Sequence, residues 1–288
     1  MFQKIDISPT LKGWLSSHGA RLDALVFDID GVLLVKGKAA PGSRALLAML
    51  RQESIPFYLL TNDGDHSTRE KSDILNASGI DVRPEEIVSC AHGLMGLFQD
   101  NEISTAPFFI MGNLGTPCFA QSAGLKTTRN IEEIDTCQGI IVGERGYDWE
   151  PTINAAVNFF VKNPHAPLIV PNPDEYYPGN TGQLCIGAGG VGRFVSQVLE
   201  TYGITINPLY LGKPFAPIFQ KTHALLEEKY GREIPRDRVL MTGDFIKSDI
   251  QGALDFGYRS ALVLTGVTTA EMAENSPVQP DMIFQTLG

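Results

Sequence analysis

Leu25-Val26-Phe27-Asp28-Ile29-Asp30-Gly31-Val32-Leu33 is the stretch that decides the fold class of this chain. A short apolar run with no polar alternation ends in two carboxylates. Runs of that kind are strands buried on both faces, as in a parallel sheet sandwiched by helices. Three more runs end in chemically useful residues: Phe57-Tyr58-Leu59-Leu60 before Thr61-Asn62, Leu209-Tyr210-Leu211-Gly212 before Lys213, and Val239-Leu240-Met241 before Thr242-Gly243-Asp244. Helices are predicted after them at 42–53, 67–78, 217–229 and 250–256. This βαβ punctuation predicts an α/β fold, a doubly wound, Rossmann-like parallel sheet. Ligands in such sheets bind beyond the carboxyl ends of the strands, so Asp28, Thr61, Lys213 and Asp244 are expected along one edge.

Spacing locates an insertion. From Asp28 to Thr61 is 33 residues, room for a loop, a helix and a strand, whereas Thr61 to Lys213 is 152. A plain crossover needs about 30 residues, which leaves on the order of 100 for a second domain. The expected division is a catalytic core of 1–90 and 208–288 with an inserted domain at 91–207. The insert has its own βα rhythm in Phe108-Phe109-Ile110-Met111, Gly139-Ile140-Ile141-Val142 and Leu168-Ile169-Val170, with a helix predicted over 152–162. Leu11, Trp14 and Leu15 predict an amphipathic N-terminal helix laid on the core.

Residues i and i+2 of an extended chain face the same side, so Asp28 and Asp30 both reach one small site. Asp244 and Asp249 add charge at the same edge, with Asp63 a further candidate for it. Two unit charges about 4 Å apart repel by about 4 kcal/mol at an effective dielectric of 20, so such a cluster asks for a cation. An all-oxygen donor set without His or Cys favours Mg²⁺. Lys213 beside it, with Thr61, Asn62 and loop amides near Gly31, suits a phosphoryl group. A metal-bridged carboxylate serves as a nucleophile through an aspartyl phosphate, and a neighbouring one serves as a general acid.

The order D-x-D-G-V-L at 28–33, T-N at 61–62, G-K-P at 212–214 and G-D-x-x-x-x-D at 243–249 resembles the haloacid-dehalogenase superfamily of phosphatases. More narrowly it is similar to the NagD-like and p-nitrophenylphosphatase-like group, class IIA, which carries a large α/β cap of the second type between the second and third motifs. Val142-Gly143-Glu144, Asn172-Pro173-Asp174, Gly187-Ala188-Gly189 and Leu264-Thr265-Gly266-Val267 extend the resemblance. It implies that Asp28 is the nucleophile and a Mg²⁺ ligand. Asp30 would be the general acid and then the base, its main-chain carbonyl also on the metal, with Asp244 the third protein ligand. Asp249 would orient the metal waters or Lys213, and Thr61, Asn62, Gly31 and Lys213 would cradle the phosphate. Asp30 points to phosphate-ester hydrolysis, because dehalogenases and ion-pumping ATPases of the superfamily lack it. The implied substrate is a small phosphorylated metabolite, a sugar phosphate or nucleotide monophosphate, and the cap is where copies of the chain could associate. The alternatives are a phosphotransferase or phosphomutase working through the same intermediate, or a non-catalytic phosphate-binding module.

In the insert, the stiff loop 171–179 makes Asn172, Asp174, Glu175 and Tyr176 candidates for substrate contact, with an ordinary turn as the other reading. Arg145 is expected in a surface ion pair, with contact to an anion as the other reading. Gly187-Ala188-Gly189-Gly190-Val191-Gly192 satisfies G-x-G-x-x-G, yet only three apolar residues precede it and no acid answers it about 20 residues on. A glycine-rich entry to a helix ending near Tyr202 is expected instead. The segment Asp63-Gly64-Asp65 departs from the family pattern, in which a neutral residue commonly follows T-N.

Composition bounds the rest. With 23 Lys+Arg against 33 Asp+Glu the formal charge is −10, which disfavours nucleic acid as a partner. The four cysteines form no C-x-x-C pair and are expected as free thiols in a reducing compartment. His66, His92, His165 and His223 share no metal spacing. No signal-peptide pattern opens the chain and no run approaches a membrane span, so the expectation is a soluble cytoplasmic protein without a membrane partner.

Overall fold

The computed structural model describes residues 7–18, 22–95, 97, 106–179 and 183–288. The chain divides into two units, one of Met1–Thr61, Lys71–Val88 and Lys213–Gly288, the other of Asn62–Glu70 and Ser89–Gly212.

The first unit is built on a seven-stranded sheet ordered Ile7–Thr10, Met282–Thr286, Arg259–Val263, Val239–Gly243, Ala24–Phe27, Phe57–Thr61, Ile87–Ser89. Ala24–Phe27, Phe57–Thr61 and Val239–Gly243 are buried at every residue, as their unbroken apolar runs demand. Ala24–Phe27 pairs in parallel with Phe57–Thr61 on one side and with Val239–Gly243 on the other. The chain works outward from Ala24–Phe27 in both directions, so the strand order reverses between Ala24–Phe27 and Val239–Gly243. Such a reversal opens the crevice where doubly wound sheets bind ligands. Asp28 and Asp244 are the residues that leave these two strands, and the Asp28 amide still donates to the Thr242 carbonyl at 2.9 Å.

Phe27, Leu59, Leu240 and Phe284 pack with Leu46, Leu50 and Leu75 from helices Ser43–Gln52 and Thr68–Ala77 to form the main core. The helices Ala216–Tyr230 and Gln251–Phe256 lie where the sequence predicts them, the latter entered through a single π-helical turn, Ile246–Ile250. The N-terminal segment does more than the expected helix: Ile7–Thr10 adds an edge strand parallel to Met282–Thr286 before helix Leu11–His18 buries Leu11 and Leu15. Pro9 within that strand is tolerated because an edge strand can spare an amide donor.

The second unit holds a five-stranded parallel sheet ordered Leu209–Tyr210, Leu168–Val170, Gly139–Val142, Phe108–Met111, Thr127–Thr128. Helices Trp149–Lys162 and Ala188–Thr201 cover it, with Phe109, Phe159, Phe160 and Val195 in its core. Here one expectation is corrected. Leu209–Tyr210 does not belong to the core sheet with the other three motif strands; it pairs with Leu168–Val170 in the second unit. An apolar run carries no mark of which sheet it joins, and the backbone bonds to Leu168–Val170 decide it. Among the described residues no helix is long and apolar enough to cross a membrane.

Candidate active site

In the first unit Asp28, Asp244 and Asp249 each offer a carboxylate oxygen within 4.8 Å of the others, and all three are buried. Lys213, 2% exposed, donates from Nζ to Asp28 Oδ1 at 2.7 Å, to Asp249 Oδ1 at 2.7 Å and to the Leu60 carbonyl at 3.1 Å. The turn that carries Asp249 folds back on the end of its own strand, so Asp249 Oδ2 accepts from the amides of Asp244 at 3.1 Å and Phe245 at 3.0 Å. Asp244 Oδ2 accepts from the Val267 amide at 2.6 Å. Gly31 sits at φ +92°, and a Cβ there would collide with the Asp244 carboxylate. The glycine of the D-x-D-G motif therefore lets the loop close over the Asp244 carboxylate.

Charge in this cluster is unbalanced: one buried ammonium faces three buried carboxylates. Burial pushes the Asp28 carboxyl well above the usual carboxylate range; Lys213 opposes this, while Asp249 and Asp244 add to it. Asp244 is pushed up to about 7, first by burial and then by Asp249, against the Val267 amide and Lys213. Burial works against the charge on Lys213, but Asp249 and Asp28 outweigh it and its pKa is raised. Both shifts on the acids express the same surplus of negative charge, which a hard divalent cation would discharge. The donors are all oxygens, and the set fits such an ion.

Asp30 is not a member of this cluster. Its carboxylate is 58% exposed at the side chain and meets Lys71 Nζ at 2.6 Å. Sequence reasoning missed Lys71 altogether, since a lysine in an amphipathic helix reads as a solvated residue, yet it is only 5% exposed. Thr61 ends its strand buried, at the carboxyl edge of the same sheet.

The other motif residues fall in the second unit. Asn62 opens the segment Asn62–Glu70, and its Nδ2 donates to Asp174 Oδ1 at 3.1 Å. Asp63 is not part of the buried acid cluster: its Oδ1 accepts from the amides of Asp65 at 2.9 Å and His66 at 3.2 Å, and its Oδ2 lies 2.8 Å from His66 Nδ1. An acid that closes its own turn in this way leaves the neutral pattern of relatives without placing charge on the strand ends. Asp65 accepts from Asn113 Nδ2 at 2.9 Å and pairs with Arg145 at 2.7 Å, the ion pair expected for that arginine. Glu70 Oε2 accepts from the amides of Ser67 at 2.7 Å and Thr116 at 2.9 Å.

Of the loop candidates, Asn172 is buried and holds the loop: it donates to Glu144 Oε1 at 2.9 Å and accepts from the Asp174 amide at 2.9 Å. Glu175 pairs with Arg193 at 2.7 Å, and Tyr176 is exposed on the hairpin of Tyr176–Pro178 with Leu184–Ile186. The glycine run is explained by packing. Gly187 donates to the Glu175 carbonyl at 2.9 Å and Gly189 to that of Asp174 at 3.1 Å, and a Cβ on Gly189 would strike the Pro173 carbonyl. The helix start is glycine-rich so that loop 172–175 can lie against it.

Two family models match, one described as haloacid dehalogenase-like hydrolase over residues 25–126 and one as HAD-hydrolase-like over 210–288. The chain is 26% identical over 261 residues to a dihydroxyacetone phosphatase of Corynebacterium glutamicum, covering 90% of this chain and 87% of that one. It is 26% identical over 265 residues to an acid sugar phosphatase of Staphylococcus aureus, covering 92% and 95%. Among solved structures, a possible sugar phosphatase of Cytophaga hutchinsonii superposes with TM-score 0.82 at 24% identity, covering 98% of both chains. NagD of Escherichia coli gives 0.74 at 23%, covering 92% and 97%. A glycerol phosphate phosphatase of Mycobacterium tuberculosis in complex with magnesium gives 0.75 at 23%, covering 93% and 76%.

Proposed function

This chain belongs to the haloacid dehalogenase superfamily, and on that premise we propose that it is a NagD-like phosphatase that hydrolyses small phosphomonoesters, phosphorylated sugars first among them, with Mg²⁺ as its ion. The observation that carries this reading is the cluster of Asp28, Asp244 and Asp249 around Lys213 at the strand-order reversal. Asp28, Asp244 and the main-chain carbonyl of Asp30 would hold the ion, which supplies Lewis-acid stabilisation of the charge on the phosphoryl oxygens. The two named curated relatives act on dihydroxyacetone phosphate and on sugar phosphates by their names, which supports the substrate class.

The chain's own residues divide the work. Lys213 holds Asp28 in place and offers positive charge to the phosphoryl group. An Asp28 carboxylate oxygen bonds to phosphorus as the ester P–O bond breaks, and the electron pair leaves with the ester oxygen, which takes a proton from Asp30. Water then attacks the same phosphorus and gives its proton to Asp30, the Asp28–phosphorus bond breaks, and inorganic phosphate departs. Thr61 and loop amides beside Gly31 bind the phosphoryl oxygens, the Gly31 amide itself being given to the Leu34 carbonyl at 2.7 Å. Asn62 contributes through its backbone, because its side chain is engaged with Asp174. Asp174, Glu175 and Tyr176 of the second unit are the substrate-selecting candidates.

A Mg²⁺-supplemented screen of phosphomonoesters tests the proposal, with Asp28→Asn as its partner. Phosphate release from the wild type and none from the variant is the expected result. Undiminished turnover in Asp28→Asn overturns the nucleophile assignment, and transfer to an added alcohol in preference to water would make the protein a phosphotransferase instead.

A further inference from the structure

Helix Thr68–Ala77 buries Lys71, Ser72 and Leu75. In an amphipathic helix the inward positions are normally apolar, since an ammonium taken out of water is costly unless it is paired. Lys71 is nonetheless 5% exposed, and its Nζ lies 2.6 Å from Asp30 Oδ2, 41 residues away in sequence. The partner is the one motif acid whose carboxylate stays outside the cluster of Asp28, Asp244 and Asp249.

These facts belong together. Asp30 follows Asp28 by two residues, so little chain separates its carboxylate from the cluster. A divalent ion bound there would attract that carboxylate. A carboxylate drawn onto the ion is lost as a proton carrier. The buried ammonium supplies the competing charge, and its stem, fixed by packing, gives that charge one place.

We infer that Lys71 is a positioning residue for the reaction: its ammonium holds the Asp30 carboxylate clear of the metal cluster and in line with the leaving-group oxygen of the ester. The inference rests on the proposed role of Asp30 and adds a residue to it. During leaving-group departure the proton passes from Asp30 to the ester oxygen as the P–O bond breaks, and Lys71 neither gives nor takes it. A nitrophenolate departs without that proton, whereas an alkoxide needs it. Misplacing Asp30 therefore slows the two leaving groups unequally.

The test is first-turnover kinetics of the full chain with saturating Mg²⁺, on glycerol phosphate and on p-nitrophenyl phosphate. Lys71→Met, which keeps the apolar stem, is expected to slow glycerol release on the order of a hundredfold. Nitrophenolate release slows at least tenfold less, KM stays within about twofold and Lys71→Arg recovers most of the loss. Calorimetric Mg²⁺ affinity stays within about twofold, because the ligands are intact. Equal slowing of both leaving groups, a change confined to KM, or no change overturns the inference. If Lys71→Met does not fold, Lys71→Gln is read by the same ratio. Asp30→Asn separates the two levels: an inert Asp30→Asn beside an unaffected Lys71→Met defeats the role of Lys71 alone, whereas full glycerol release by Asp30→Asn defeats the role of Asp30 itself.

Discussion

Lys213 Nζ stands 2.7 Å from Asp28 Oδ1, a pair made across 185 residues of chain. The same nitrogen is 2.7 Å from Asp249, so one cation joins the first and last motifs of the sequence. Replacing it by methionine leaves three buried carboxylates without that counter-charge. Lys213→Met is expected to lower turnover on the order of a hundredfold to a thousandfold, as for loss of a fixed charge donor at the reacting group. Its melting temperature falls in chelator and gains more from added Mg²⁺ than that of the wild type, because the ion relieves a larger repulsion. Thermal melts with and without Mg²⁺ check this, and an equal gain in both proteins would count against it.

Glu144 supplies a pH dependence in the second unit. Burial, the largest influence, pushes its carboxyl up to about 7; the amide of Asn172 works the other way, and Asp63, Asp65 and Asp174 add to the rise. Below about pH 4.5 Glu144 is protonated in both folded and unfolded chains and has no effect. As pH rises toward 7 the unfolded chain ionises first, so stability falls through that window by on the order of 3 kcal/mol and then levels off. Glu144→Gln keeps an acceptor for Asn172 and removes this share of the slope, leaving the share of Asp28 and Asp244. Denaturation midpoints between pH 4 and pH 8 measure it, and an unchanged slope in the variant would refute the assignment.

Gly189→Ala tests why the glycine run exists. Alanine is the better helix former by about 1 kcal/mol, so propensity alone predicts a gain. The added Cβ would meet the Pro173 carbonyl, and displacing that loop is expected to give a net loss of about 1–3 kcal/mol together with a raised KM. A variant as stable as the wild type, by urea denaturation, would sink the packing explanation.

Thr242 Oγ1 is buried with no hydrogen-bond partner among the described residues. Valine has the same shape without the hydroxyl, so Thr242→Val is expected to raise stability by about 1 kcal/mol. Its place two residues before Asp244 makes the choice informative: a melting temperature that drops instead would mean that the hydroxyl has work at the strand end.

What could be read from the sequence follows from where the chemistry sits. Asp28, Thr61 and Asp244 end strands whose apolar runs are visible in one dimension, so their meeting at one edge follows from the parallel sheet alone. The run before Lys213 looked the same and belongs to the other sheet, because hydrophobicity records burial but not the neighbour. Lys71 was illegible for the opposite reason. Its identity says surface, and only the packing of its helix beside the segment after Asp28 makes it a buried partner of Asp30. The G-x-G-x-x-G run was legible as a decoy by what surrounded it, while its actual cause, the carbonyls of Pro173, Asp174 and Glu175, needed coordinates.

The grouping of Asn62–Glu70 with Ser89–Gly212 bears on how such enzymes are recombined. The chain passes from one unit to the other at 61/62, 70/71, 88/89 and 212/213, so the insert is not a cassette bounded by two junctions. Asp65 with Asn113 and Arg145, Glu70 with Thr116, and Asn62 with Asp174 are bonds that a donor of residues 89–212 alone would leave behind. A chimera intended to exchange substrate preference must therefore transplant the nine residues from Asn62 to Glu70 as well, and the junction Thr61-Asn62 divides the T-N pair proposed to bind phosphate.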